Sequence, residues 1–271
     1  MGVGSLLEFD DRSLFYNHYC TREGSAAHVQ WEPIKKKYPT IVKESAVLLL
    51  LRGRRGAEEI LLTVRSNRLR RHPGEVAFPG GMRDYHDKNP IDTALRESFE
   101  EVGLPPSFVR VLAALHPFRT RLNVAIFPVV ARLTRDDFEL TPCITEVESC
   151  FWLPLSRFLS ASGHSIMEFQ LGNRVFNTHV FEDEVPSTSD NGGGVGRLVP
   201  TWGITSFVCI VLAMVVHERT PDFSFPGREL RYVKNAVDSS GADWRLVVRQ
   251  IFANCMEPIQ EQEETKPTSK L

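Results

Sequence analysis

The segment that most limits this fold is a short helix, closed at both ends, lying between runs that read as strands. Asn89 can cap its first turn, and Pro90 follows at the position where a missing N–H costs nothing. Asp92 lies three residues past the cap and favours the positive end of the helix dipole. Gly103, followed by Leu104-Pro105-Pro106, stops the helix, which therefore runs from about 90 to 102. Ile91, Leu95, Phe99 and Val102 recur at helical spacing and form the expected buried stripe. Glu97, Glu100 and Glu101 then project together, roughly opposite that stripe.

The flanking segments supply the strands. "SAVLLLLRG" (45–53) and "EEILLTVR" (58–65) read as neighbours around a Gly/Arg-rich turn. "VRVLAALHPF" (109–118) and "NVAIFPVVARL" (123–133) add two more, and Val76-Ala77 reads as the end of another. "EFQLGNRVFNTHVFED" (168–183) places Leu-Gly-Asn-Arg between alternating runs, which predicts a hairpin. "STSDNGGGVG" (187–196) is a loop. Strands on both sides of the carboxylate helix point to an α/β layered fold. Its domain spans 44–255, after an N-terminal extension (1–43) with one amphipathic helix near Ser13 to Cys20, and before a polar, disordered tail (256–271).

Composition excludes several classes. A chain of 271 residues with 42% hydrophobic residues suits one large domain with extensions. A net charge of −2 argues against a dedicated nucleic-acid binder. Five scattered cysteines without a C-x-x-C pair read as thiols of a non-secreted protein, with neither disulfides nor a zinc site. The eight histidines show no metal spacing, and His72 and His116 read as structural or solvent-facing. The longest apolar stretch, Ile204 to Val216, is too short to span a bilayer and reads as a buried helix, so no membrane is expected as a partner.

Three glutamates within five positions need a reason. Like charges at i,i+3 and i,i+4 each cost a few tenths of a kcal/mol, which Arg96, four residues before Glu100, only partly offsets. The cluster is either a solvated acidic face or a site for a hard divalent cation, which prefers oxygen ligands. Upstream, Phe78-Pro79-Gly80-Gly81 forms a turn that can bring backbone close to a ligand. Before it, Arg65, Arg68, Arg70 and Arg71 occur with no acidic residue until Glu75. Planar arginine donors suit phosphate oxygens. An anion-binding loop, a glycine turn and a carboxylate helix in succession point to metal-assisted phosphate chemistry.

At these residues the chain resembles a known family. Arg96-Glu97-Ser98-Phe99-Glu100-Glu101-Val102-Gly103-Leu104 is similar to the second half of the Nudix hydrolase box, G-x5-E-x7-R-E-U-x-E-E-x-G-U. Counting back from Arg96, the expected Glu falls on Lys88 and the expected Gly on Met82. A shift of one places Gly81 and Asp87 there, with one extra loop residue and Asp for Glu. Ser98 stands where a bulky residue is expected. The upstream segment resembles a second signature, that of the coenzyme A diphosphatases of this superfamily: Leu61-Leu62-Thr63-Val64-Arg65-Ser66, then Arg70, Gly74 and Phe78-Pro79-Gly80-Gly81.

That resemblance implies a Nudix-type α/β/α fold with a mixed sheet between helices. It implies hydrolysis of the diphosphate of coenzyme A or acyl-CoA to 3′-phospho-AMP and (acyl-)4′-phosphopantetheine. Mg²⁺ or Mn²⁺ would sit on Glu97 and Glu101, with Glu100 as third ligand. Glu97, Glu100 and Arg96 form the implied catalytic set, and Glu97 is either a ligand or the base that activates water. Arg65 and Arg70 would hold substrate phosphate, while Gly80 and Gly81 shape its site. Glu146 is either a further carboxylate reaching the site from a loop or an exposed loop acid. Two alternatives stay open: a Nudix pyrophosphatase for NADH, ADP-ribose or another nucleoside diphosphate derivative, and a non-catalytic binding module. Ser269-Lys270-Leu271 reads as a peroxisomal import signal, which predicts an import receptor as partner and a peroxisomal matrix location.

Overall fold

In the strand Lys43–Arg54 (β1), Ala46, Leu48, Leu49, Leu50 and Leu51 are each at most 1% exposed. Side chains alternate faces along a strand, so the unbroken buried run from Leu48 to Leu51 means that both faces of the sheet are covered. The computed structural model describes residues 39–115, 117–120, 122–135, 137–171, 174–185, 196–225 and 243–254. Across a tight turn β1 pairs antiparallel with Ala57–Arg65 (β2), and on its other edge it pairs parallel with Val124–Leu133 (β7). Val76–Ala77 (β3) and Val147–Pro154 (β8) extend the sheet from β2, and Val109–Ala114 (β5) extends it from β7. The short strand Gly80–Met82 (β4) pairs with the start of β1, where Val47 faces Gly80. Phe118–Arg119 (β6) pairs with β7. The sheet is mixed, as the resemblance implies.

The helix forms where the sequence placed it, at Pro90–Val102 (α1). Asn89 Oδ1 accepts from the backbone N–H groups of Ile91 (2.8 Å) and Asp92 (3.0 Å), and Gly103 closes the other end with φ 69°. Its orientation differs from the expected one. Thr93, Ala94, Ser98, Glu101 and Val102 are buried, Ile91 and Leu95 are only half-buried, and Phe99 is 54% exposed. The physical reason lies in the small residues: Thr93, Ala94 and Ser98 let the helix approach the sheet closely. Ser98, in place of a bulky residue, is fully buried and donates to the Ala94 carbonyl at 2.6 Å. The helix therefore turns Glu101 inward, while Glu100 stays exposed.

A three-stranded antiparallel sheet follows: His164–Leu171 (β9), Arg174–Val185 (β10) and Arg197–Thr201 (β11). The expected hairpin is its β9–β10 pair, with Leu171 facing Arg174. The apolar run forms Gly203–His217 (α2), whose Phe207 packs edge-to-face on Phe118 at 5.7 Å. A last helix, Trp244–Asn254 (α3), packs on α2. Among the described residues no helix is long and apolar enough to cross a membrane. The expected helix near Ser13–Cys20, the 187–195 loop, His116 and the 256–271 tail lie outside the described residues.

The Asn89 cap generates a stability prediction. Asn89→Ala should cost about 1 kcal/mol, since two helix N–H groups lose their acceptor. Thermal unfolding should show a drop of roughly 2–4 °C. An unchanged midpoint would mean that the cap contributes nothing.

Candidate active site

Four segments meet at the beginning of β1: the glycine turn into β4, the inward face of α1, the end of β2, and the loop 141–146. The helix α1 approaches β4 closely. A Cβ on Gly81 would overlap the carboxylate of Glu97. Gly80 lies at φ 150°, where a Cβ would collide with the Ala46 carbonyl and Val47. Its backbone N–H donates to Glu101 Oε2 at 2.9 Å. The two glycines thus admit both carboxylates to the sheet edge.

Arg96 fixes the loop that joins β4 to α1. Its Nε donates to Asp87 Oδ1 (3.1 Å), and its Nη2 donates to Asp87 Oδ2 (2.9 Å) and to the Met82 carbonyl (3.0 Å). Its Nη1 lies 2.9 Å from Glu97 Oε1 and 3.1 Å from Glu100 Oε2. Asp87 is buried and also accepts from Thr93 Oγ1 and the Asp84 N–H, both at 2.8 Å. Burial alone would raise its pKa, but the hydrogen bonds from Arg96, Asp84 and Thr93 outweigh that and leave it below the usual range. Bonding to Asp87 in turn raises Arg96. The extra loop residue and the shorter Asp side chain thus keep a carboxylate on the helix arginine.

Burial, together with repulsion from Glu100 and Glu146, raises the pKa of Glu97 despite its contact with Arg96. Glu101, only 5% exposed, is pushed up to about 7, first by burial and then by Glu97 and Glu146. The Gly80 N–H and Arg65 act in the opposite direction. Glu146 is an exposed loop acid, yet near enough to add to the repulsion at both carboxylates. The loop that carries it is tied down at both ends: Cys143 N–H donates to the Glu101 carbonyl (2.8 Å), and Ser66 N–H donates to the Glu146 carbonyl (2.9 Å). Beside Glu101, Cys150 is pushed up to about 12, mainly by burial, and stays a neutral thiol.

Arg65 ends β2 half-buried, with its Nε enclosed and without a hydrogen-bond partner. Arg68, Arg70 and Arg71 are exposed, and none of the four forms an ion pair among the described residues. Elsewhere, Arg52, Arg83, Arg96 and Arg157 are all paired with carboxylates. Arg65 acts on Glu101 electrostatically, and Arg68, Arg70 and Arg71 leave an exposed basic loop next to the acidic helix.

A NUDIX domain profile matches residues 42–168. The chain is 42% identical over 191 residues to peroxisomal coenzyme A diphosphatase ndx-8 of Caenorhabditis elegans, covering 68% of this chain and 74% of that protein.

The chain belongs to the Nudix hydrolases.

It is also 38% identical to peroxisomal coenzyme A diphosphatase NUDT7 of Mus musculus, over 66% of this chain and 72% of that protein. To Nudix hydrolase 22, chloroplastic, of Arabidopsis thaliana it is 34% identical, over 91% of this chain and 80% of that protein.

A Nudix hydrolase implies a divalent cation, and the donor chemistry here suits one. Glu97 and Glu101 offer only oxygen, repel one another and are largely withdrawn from water. As the side chains stand, among the described residues no three converge as a ligand set. Glu97 and Glu100 turn to Arg96, and Glu101 turns to the Gly80 N–H.

The raised Glu101 pKa gives this Nudix hydrolase a pH signature when a chelator is present. A carboxylate whose folded pKa lies above its unfolded value of 4.5 contributes stability below pH 4.5 and loses it as pH rises through about 7. Relative to Glu101→Gln, the wild type should lose on the order of 2–3 kcal/mol between those pH values. Parallel pH–stability curves for the two proteins would show that burial of this carboxylate is not costly.

Proposed function

We propose that this Nudix hydrolase cleaves the diphosphate of coenzyme A and its acyl thioesters, giving 3′-phospho-AMP and (acyl-)4′-phosphopantetheine. The observation that carries this reading is the basic run beside the carboxylate helix: Arg65 faces the charge of Glu101, and Arg68, Arg70 and Arg71 are exposed and form no ion pair among the described residues. A diphosphate already neutralised by a cation does not need so much positive charge, whereas the additional 3′-phosphate of coenzyme A does. The names borne by the worm and mouse relatives support the same substrate.

Glu97 and Glu101, with Glu100 as third ligand, would hold Mg²⁺ or Mn²⁺, which supplies charge neutralisation at phosphorus and a more acidic water. Water forms the new P–O bond as the anhydride P–O bond breaks, and its proton passes to Glu146, or to Glu97 where that residue serves as base instead of ligand. Arg65, whose enclosed Nε has no partner, donates to a phosphoryl oxygen as charge spreads over it. Arg70 holds the outer phosphate. Gly80 and Gly81 leave room for the carboxylates. Arg96, with Nε, Nη1 and Nη2 all engaged, acts as a positioning residue that locks the 83–88 loop to α1. The worm and mouse names also support a peroxisomal location. The expected import signal, Ser269-Lys270-Leu271, lies outside the described residues.

The test is a comparison of kcat/KM with Mg²⁺ for coenzyme A, 3′-dephospho-coenzyme A, NADH and ADP-ribose. A charge-assisted contact to the 3′-phosphate is worth about 1.5–3 kcal/mol, so coenzyme A should lead its dephospho form by roughly tenfold or more. Equal values would remove the 3′-phosphate contact. Preference for NADH or ADP-ribose would assign the enzyme to another Nudix substrate class.

A further inference from the structure

The loop that carries the unpaired arginines is held from outside the matched NUDIX segment. Val64 pairs with Ser149 and Arg65 with Val147, so Glu148 is the extra residue of a β-bulge opposite the Val64–Arg65 step. Bulges re-aim side chains, and this one brings a carboxylate to the loop that follows β2. Asn67 Nδ2 donates to Glu148 Oε2 at 2.9 Å. The other oxygen, Oε1, lies 3.0 Å from Nη2 of Arg197, on β11. Both carboxylate oxygens therefore have a partner, one from the arginine loop and one from the second sheet.

The same stretch of chain also grips the other side of the loop. β11 runs beside β3, with Val199 only 3% exposed. Shortly after it, Thr205 Oγ1 of α2 donates to the Val76 carbonyl at 3.2 Å. Val76 opens the segment that leads into Phe78-Pro79-Gly80-Gly81. Residues 197–205 thus contact the Val76 end of the segment between β2 and β4 directly and reach its Asn67 end through Glu148, although the family profile stops at 168.

Glu148 is an electrostatic liability there. A carboxylate bonded to Asn67 of the arginine loop repels a phosphate that approaches that loop. Arg197 cancels it. We propose that Arg197 is a positioning and specificity residue of this enzyme, pairing with Glu148 so that the loop of Arg68, Arg70 and Arg71 stays attractive to an anionic substrate. The proposal rests on the reading of that loop as a phosphate site. It adds that the second sheet completes the site instead of merely covering the core.

The experiment measures binding of 3′-phospho-AMP to the full chain by calorimetry, with steady-state kinetics on coenzyme A alongside. Arg197→Ala should weaken binding roughly three- to fivefold, the upper range for an exposed ion pair, and should raise KM while leaving kcat unchanged. Arg197→Lys should keep most of the affinity. Glu148→Gln should bind at least as tightly as wild type, and Arg197→Ala/Glu148→Gln should restore wild-type affinity, because no charge is left to cancel. Thermal unfolding verifies that each variant is folded.

Three results would overturn the proposal: wild-type affinity in Arg197→Ala, a double variant as weak as Arg197→Ala, or no binding of 3′-phospho-AMP by wild type. If the variants follow the expected pattern but coenzyme A is not hydrolysed, the substrate assignment fails and the Arg197 role stands. If coenzyme A is hydrolysed and Arg197→Ala behaves as wild type, only the Arg197 role fails.

Discussion

The hydrogen bond from the Gly80 N–H to the buried Glu101 carboxylate is the contact on which the rest of the site depends. Placing a carboxylate at the edge of an apolar sheet costs several kcal/mol unless donors and opposite charge compensate. Here the compensation is a backbone N–H on one side and Arg65 on the other, with repulsion from Glu97 and Glu146 left over. Most of the site geometry follows from that placement. Gly81 must lack a side chain because Glu97 occupies the space. Thr93, Ala94 and Ser98 must be small for α1 to lie close enough. Arg96 and Asp87 must bind the intervening loop so that β4 and the helix keep their alignment.

The architecture was readable from local signals wherever these are chemically unambiguous. Asn89-Pro90 and Gly103 fixed the helix ends because a side-chain acceptor, a fixed φ and a left-handed residue each permit few alternatives. The paired strands β1 and β2 were equally plain, since both are apolar runs around a tight turn. The face of α1 was not readable in that way. Periodicity assigns apolar residues to the interior, yet Phe99 is exposed and Glu101 buried. Hydrophobic patterning fails at a site where charge is buried for use, and the small residues Thr93, Ala94 and Ser98 were the signal that could have corrected it.

The long-range parts of the site carried weaker signals still. β8 contains Glu148, Ser149 and Cys150, and β11 contains Arg197 and Pro200, so neither reads as an apolar strand. Glu146 was visible only as a loop acid, because its position depends on Ser66, about eighty residues earlier in the chain, holding its backbone. The arginine run was legible as charge. That Arg68, Arg70 and Arg71 form no ion pair among the described residues, while Arg52, Arg83 and Arg157 do, is a property of the folded chain alone.

The central claim is that Glu97 and Glu101, admitted by Gly81 to the sheet edge, form a divalent-cation site. The most direct measurement is titration of Mn²⁺ into the full chain, followed by electron paramagnetic resonance, for wild type and Gly81→Ala. A Cβ at position 81 would displace the Glu97 carboxylate, so the variant should bind Mn²⁺ more weakly by roughly tenfold or more, the scale of losing one charged contact. Equal affinity in the two proteins, or no Mn²⁺ binding by wild type, would contradict the assignment.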